Sequence, residues 1–282
     1  MIGLVLAALS GLVWGVGDFS GGKASQRADS LLVVVLSKAA SIPLLAVYLL
    51  LIPSTFSGHA LAWGAAAGLL GTLGMIVFYR ALAGGAMAIV APISAVASAL
   101  IPVVFGLAAG ERPGTLPLVG AACAIASIGL VSAAGGTGSK VTGKLLGLAM
   151  LSGVAFGLFF TCLAQAGNQS GGTAGLWPIA GAQGAAVVLG TPLLLHRLRR
   201  GAARATGSAR TWLLAAGVLD MSANALYVLA VPRGDLSIIA PIASLYPVST
   251  VLLAMLVDRE RLRPVQLAGL GLAATALVLV AS

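Results

Sequence analysis

Ten apolar stretches, each close to the length of a membrane-crossing helix, follow one another along this chain with short polar breaks between them. They run Ile2–Ser20, Leu31–Ile52, Leu61–Leu82, Met87–Ala109, Leu116–Ala134, Leu145–Ala166, Ala174–Leu195, Trp212–Val231, Leu236–Val257 and Val265–Ala281. Roughly 20 helical residues cross the hydrocarbon of a bilayer, so ten spans take about 200. In a chain of 282 residues that leaves room for loops but none for a separate soluble domain. Composition agrees. Only 8% of residues are charged and 59% are hydrophobic, whereas soluble domains carry about 25% charged residues. Disorder is excluded too, since it needs low hydrophobicity and high charge. Lipid tolerates only helices or closed barrels, because nothing else satisfies the backbone there. None of the runs alternates with period two, so all ten are expected to be helices. Glycines in small-xxx-small spacing, such as Gly11/Gly15, Gly64/Gly68, Gly106/Gly110 and Gly153/Gly157, are expected to let helices approach closely.

The second half of the chain repeats the first. At a shift of 149, Pro43 meets Pro192, Trp63 meets Trp212, Gly68 meets Gly217 and Gly85 meets Gly234. At the same shift Ala91-Pro92-Ile93 meets Ala240-Pro241-Ile242, Glu111 meets Glu260 and Gly120 meets Gly269. Nearer the start of each half the shift is 142, pairing Ser10-Gly11 with Ser152-Gly153 and Gly15 with Gly157. Each half holds five spans, and an odd number makes the second copy enter the membrane from the opposite side. The expected fold is therefore an all-α integral membrane protein of ten transmembrane helices. Its two inverted five-helix repeats are residues 1–138 and 139–282. Inverted repeats are the architecture of alternating-access carriers, with the binding site at the repeat interface near the midplane.

Several local runs, in this order and spacing, resemble the EamA-type transporters of the drug/metabolite transporter superfamily. They are Trp14-Gly15, Phe78-Tyr79-Arg80-Ala81-Leu82, Gly110-Glu111-Arg112, and Pro247 followed by Glu260-Arg261-Leu262. The resemblance covers the whole chain. It implies a membrane carrier of small metabolites, commonly outward, with a central cavity lined by helices 1, 3, 4, 6, 8 and 9. One departure is Ser98, which stands where the first-half counterpart of Pro247 would be.

Ionisable groups inside a membrane are functional candidates by default. Asp220 is the ninth residue of its span, about 13 Å deep at 1.5 Å per residue. Asn224 and Tyr227 follow on the same helical face. Burial at that depth suits Asp220 to proton coupling, or merely to tying helix 8 to a neighbour. Asp18 near the end of helix 1 and Lys38 early in helix 2 lie at similar depth on antiparallel neighbours, and are expected to form an ion pair or a charged gate. Arg80, closing helix 3, either binds a substrate carboxylate or anchors at the interface. Trp14, one turn before Asp18, and its repeat counterpart Phe156 are cavity candidates, as are Tyr79, Ser94, Ser98 and Tyr246. Pro92, Pro102, Pro241 and Pro247 are expected to interrupt helices 4 and 9. Glu111 and Glu260 are expected to pair with arginines or to cap helices.

Counting Arg80, at the close of the third span, with the loop that follows it, all but Lys38, Arg112 and Arg233 of the 16 basic residues fall in loops 1, 3, 5, 7 and 9. The positive-inside rule then puts those loops in the cytoplasm and both termini outside; the family resemblance implies both termini inside. Loop 7, with Arg197, Arg199, Arg200, Arg204 and Arg210, is expected to face anionic lipid. The basic residues are not spread as a nucleic-acid surface. Cys123 and Cys162 lie in apolar runs and form neither a disulfide framework nor a zinc site. No cofactor or metal is expected. No basic residue precedes the first apolar run, so no cleaved signal peptide is expected. No phosphate-binding GxxxxGK[ST] loop is present, so direct drive by ATP is not expected. The expected function is a secondary transporter of a small metabolite, such as an amino acid, in the plasma membrane, as a monomer or homodimer. An alternative starts from Gly15-Val16-Gly17-Asp18-Phe19, which resembles the GxGD signature of intramembrane aspartyl proteases. Asp220 would then be the second carboxylate. Against it, the order of the two aspartates is reversed and the proline-alanine-leucine motif is absent.

Overall fold

The computed structural model describes residues 2–84, 86–108, 115–133, 142–169, 173–201, 207–230, 233, 243 and 246–280. Glu111, Arg112, Asp235, Arg204 and Pro241 lie outside them. The regular structure among these residues is helical, with no strand. In chain order the helices are α1 (Ile2–Ser25), α2 (Ser30–Leu51), α3 (Gly58–Leu82), α4 (Met87–Ala108), α5 (Thr115–Ala133), α6 (Gly143–Gln169), α7 (Trp177–Arg199), α8 (Ser208–Ala230), α9 (Pro247–Val257) and α10 (Pro264–Val280). Among the described residues six of them, α1, α2, α3, α6, α7 and α8, are long and apolar enough to cross a membrane.

Polar residues in the breaks start the helices where the sequence places them. The Asp29 carboxylate accepts from the Leu31 N–H at 2.9 Å and the Leu32 N–H at 3.4 Å at the head of α2. Ser57 accepts from Ala60 at the head of α3, and Thr142 from Leu145 at the head of α6. Such side-chain acceptors satisfy N–H groups that have no partner in the first turn. Proline opens α9 and α10, where its missing N–H costs nothing. The proline expectation needs correcting in α4, which runs through Pro92 and Pro102 as one helix. Near a helix start, Pro92 deprives only an early carbonyl of its partner.

The helices pack in a definite pattern. α1 lies on α8 and α9, α3 on α6 and α7, α4 on α6 and α9, α2 on α7 and α8, and α5 on α10. Leucines and valines such as Leu12, Val47, Leu69, Val188 and Leu214 point outward and are exposed, an apolar exterior suited to hydrocarbon rather than water.

The main core sits at one end of the bundle. It gathers Phe19 and Ala24 from the end of α1, Leu31 to Val35 from the start of α2, and Phe78, Tyr79, Ala81 and Leu82 from the end of α3. Met87 to Ile93 from the start of α4 complete it with residues from α6, α7, α8 and α9. This plug is strapped across its rim. Lys23 on α1 forms an ion pair with Asp258 at the end of α9. Arg259 then takes the left-handed conformation, φ 54°, in a turn where the Glu260 N–H reaches back to the Ala254 carbonyl at 3.1 Å. That helix-ending turn normally uses glycine. It delivers the Glu260 carboxylate to the first turn of α4, where it accepts from Met87 N at 2.8 Å and Ala88 N at 2.9 Å.

Burial pushes the Glu260 carboxyl above the ordinary range, opposed by these two N–H groups. An acid raised on folding binds more protons in the native state, so its contribution to stability is full below the ordinary carboxylate value. It is lost as pH rises through the raised one. Glu260→Gln is expected to flatten thermal stability over the window that opens near pH 4.5. The variant also loses the charged cap, at a cost of about 1 kcal/mol. Detergent-solubilised melting curves at a series of pH values measure both; an unchanged pH slope would refute the assignment.

Candidate functional site

Beyond the plug, toward the end where α7 begins, the helices separate around a cavity of about 90 Å³, room for several waters or the polar end of a solute. Its walls come from α1 (Trp14, Asp18), α2 (Lys38), α3 (Thr72, Met75), α6 (Phe156, Phe159, Phe160), α7 (Gln183) and α8 (Asp220, Asn224), with Tyr246 beside α9. The i, i+4 spacing of Trp14 and Asp18, and of Asp220 and Asn224, turns each pair toward one face. The resemblance implied walls from helices 1, 3, 4, 6, 8 and 9. Among the described lining residues α2 and α7 take part, and α4 does not.

The charged centre differs from the expected one. Lys38 Nζ donates to Asp220 Oδ2 at 2.8 Å, and no ion pair to Asp18 forms among the described residues. The reason is packing, since α2 lies chiefly on α7 and α8 rather than on α1. The lysine therefore meets the acid of α8. Asp18 faces the same pair electrostatically from α1, so two carboxylates and one ammonium share the cavity wall. The lysine is held from behind: Gln183 Nε2 donates to Ser41 Oγ at 2.6 Å, and Ser41 Oγ donates to the Lys38 carbonyl at 2.8 Å. Asn224 Nδ2 donates to the Asp220 carbonyl at 2.7 Å.

The other candidates separate into wall, support and surface. Trp14 and Phe156 line the cavity. Tyr227 stands behind Trp14 with ring centroids 5.8 Å apart and is not a lining residue. Tyr246 lines the cavity and hydrogen-bonds Ser98, so Ser98 supports the wall from α4. Ser94 is fully buried and bonds Ser152 at 2.9 Å, tying α4 to α6 away from the cavity. Tyr79 is buried against Gly21 on the plug side of Asp18. Arg80 is exposed and lies off the cavity, so it is not positioned to bind a substrate there. Sequence reasoning missed Gln183, Thr72, Phe159 and Phe160. Gln183 left a signal, as an amide inside an apolar run.

A helical bundle of membrane-spanning length, apolar outside and enclosing a charged cavity at mid-helix depth, defines a multi-pass membrane protein with an internal charged cavity. The model of the EamA-like transporter family matches residues 1–133 and 143–282, and the chain belongs to that family. It is thus a membrane transporter of the drug/metabolite superfamily and not an enzyme, which sets the protease alternative aside. No curated protein matches the chain. One solved crystal structure, described only as that of a protein, aligns with a TM-score of 0.60 over 99% of this chain and 97% of its own, at 16% identity. That likeness concerns the fold alone.

Proposed function

We propose that the chain is a secondary carrier that moves a small metabolite across the plasma membrane by alternating access, in the export direction, with the cavity as its substrate site. The observation that carries this reading is a charged cavity at mid-helix depth, closed by the plug at one end of the bundle. Charges there are costly unless they serve a pathway.

Ten membrane spans in two inverted repeats are part of the same reading. Exchanging α1 with α6 and α3 with α8 turns the α1–α8 contact into α6–α3. The α4–α6 contact likewise becomes α9–α1, and α3–α7 becomes α8–α2; all are present. The repeat mates Gly68 and Gly217 serve alike, one against Ala182 of α7 and the other against Ser37 of α2. The plug lies at the end carrying Lys23, Arg27, Arg197, Arg199 and Arg261, the cytoplasmic end by the positive-inside rule. The exposed Arg197 and Arg199 then meet anionic lipid, and the cavity faces outward. The carrier works as a monomer or homodimer.

Purified protein in liposomes loaded with a pH-sensitive dye tests the reading, using a panel of cationic, zwitterionic, neutral and anionic metabolites. Saturable flux of at least one class is expected, with Asp220→Asn below about a tenth of the wild-type rate. Flux of no compound overturns the carrier reading. Equal flux in wild type and variant removes the charged centre from it.

A further inference from the structure

α9 and α10 are joined by a short turn, yet among the described residues they hardly touch each other. Both lie on α4 instead. Their sequence mates at the shift of 149, α4 and α5, do pack together, so the repeat does not impose the gap. It forms a crevice of about 250 Å³, walled by Val248 and Leu252 of α9 and by Leu270 and Gly271 of α10, with Pro92 of α4 as its floor. Every described lining residue is apolar. Val248 and Leu252 are 44% and 51% exposed, so the crevice opens to the outside of the bundle. An apolar space of this size stays dry, and in a bilayer hydrocarbon fills it. It is smaller than one turn of helix, about 10 Å across and 5.4 Å high, so an acyl chain fits where a helix of a second copy does not.

The headgroup of such a lipid is placed by depth and by charge. Leu252 lies six residues before Asp258, and Leu270 six after Pro264, about 9 Å of helix in each case. Val248 and Ala274 lie four residues further in, about 15 Å from the turn. Half of the hydrocarbon of a bilayer is about 15 Å thick, so a lipid with a chain in the crevice has its headgroup at the turn 258–263. The two acids of that turn are already engaged, Asp258 with Lys23 and Glu260 with the first turn of α4. Arg259 and Arg261 are exposed and have no ion-pair partner among the described residues. The turn thus presents positive charge, and a guanidinium fork suits a phosphate. Here too the halves differ, since Gly110 and Gly114 stand where the second half has Arg259 and Arg263. We infer that the crevice between α9 and α10 binds an anionic phospholipid, one acyl chain lying along Val248, Leu252 and Gly271 and the phosphate resting on Arg259 and Arg261. The inference needs only the membrane setting and does not depend on the carrier reading. An occupied crevice supports α9, the helix whose end carries the strap.

Native mass spectrometry of the purified protein in detergent tests this, with dioleoyl phosphatidylglycerol, dioleoyl phosphatidylcholine and glycerophosphoglycerol as probes. A tight phosphatidylglycerol adduct is expected, roughly thirtyfold stronger than that of phosphatidylcholine, as two arginines at a membrane surface provide. Glycerophosphoglycerol has the same headgroup and no chains, and is expected not to bind. Gly271→Leu fills the crevice. Open space surrounds the place where its Cβ would stand, so the variant is expected to fold and to bind phosphatidylglycerol about tenfold more weakly, through lost packing of the chain. Arg259→Gln/Arg261→Gln is expected to bind the two lipids alike. The comparison of the three probes on wild type decides the matter even if a variant does not fold. Equal binding of both lipids by wild type, binding of the headgroup alone, undiminished affinity in Gly271→Leu, an undiminished preference in the arginine variant, or a dimer that excludes the lipid each overturns the inference.

Discussion

Lys38→Met is expected to destabilise the protein by about 3 kcal/mol and to abolish transport. The substitution keeps an unbranched stem of four heavy atoms and removes the ammonium paired with Asp220. Two carboxylates then face each other across the cavity wall with nothing between them, and leaving one member of a buried pair behind costs more than the pair itself contributes. The double variant Lys38→Met/Asp220→Leu separates the two effects. It removes both charges, so most of the lost stability should return, while transport stays absent because the charged pole is gone. Thermal unfolding in detergent measures the first quantity and liposome flux the second. If the double variant is no more stable than the single one, the ion pair is not what Lys38 contributes.

The second large effect is expected at the contact between α3 and α7, where the two backbones touch. A Cβ on Gly64 would lie against the Pro178 carbonyl, 2.7 Å from Pro178 Cα. One on Gly181 would strike the Leu61 carbonyl and come within 2.9 Å of the Ala65 nitrogen. Main chain cannot swing aside as a side chain does, so a larger residue must push the helices apart. Gly64→Leu or Gly181→Leu is expected to cost about 3 kcal/mol and to abolish the monodisperse peak in size-exclusion chromatography. Gly184→Leu, on the same helix with open space where its Cβ would stand, is the control. It is expected to gain about 1 kcal/mol from better helix propensity. Equal behaviour of Gly181→Leu and Gly184→Leu would mean that close packing of α3 on α7 does not govern the fold.

How far the sequence could be read follows from which physical signals a membrane chain retains. Apolar length and polar breaks placed the helices, because lipid demands the first and capping the second; Asp29 and Ser57 stand at the helix heads for that reason. The stripe of Asp220 and Asn224 was legible because a charge at that depth is too costly to stand without a partner or a pathway. Its partner was not. Lys38 was expected to meet Asp18, its neighbour along the chain, and only the packing of α2 on α8 gives it to Asp220 instead. Phe159, Phe160 and Met75 were invisible for the opposite reason. In a run that is apolar all round, a side chain facing the cavity has the same chemistry as one facing lipid. Arg80 stayed ambiguous because a cation at a helix end suits either a ligand or a headgroup, and its exposure places it away from the cavity.

The strapped plug bears on energetics as well as on shape. A carrier that opens alternately at its two ends must dissolve one seal and build another. Here the seal on the basic side has Lys23, Asp258 and Glu260 fastened across it. The repeat does not supply the same fastening twice. Glu260 has its mate in Glu111, but Ala109 stands where the second half has Asp258, and Gln165 where the first half has Lys23. An alanine and a glutamine cannot form the ion pair that closes the basic side. In the proposed carrier the molecule without solute therefore has a preferred posture, and an arriving substrate works against a spring wound in one direction.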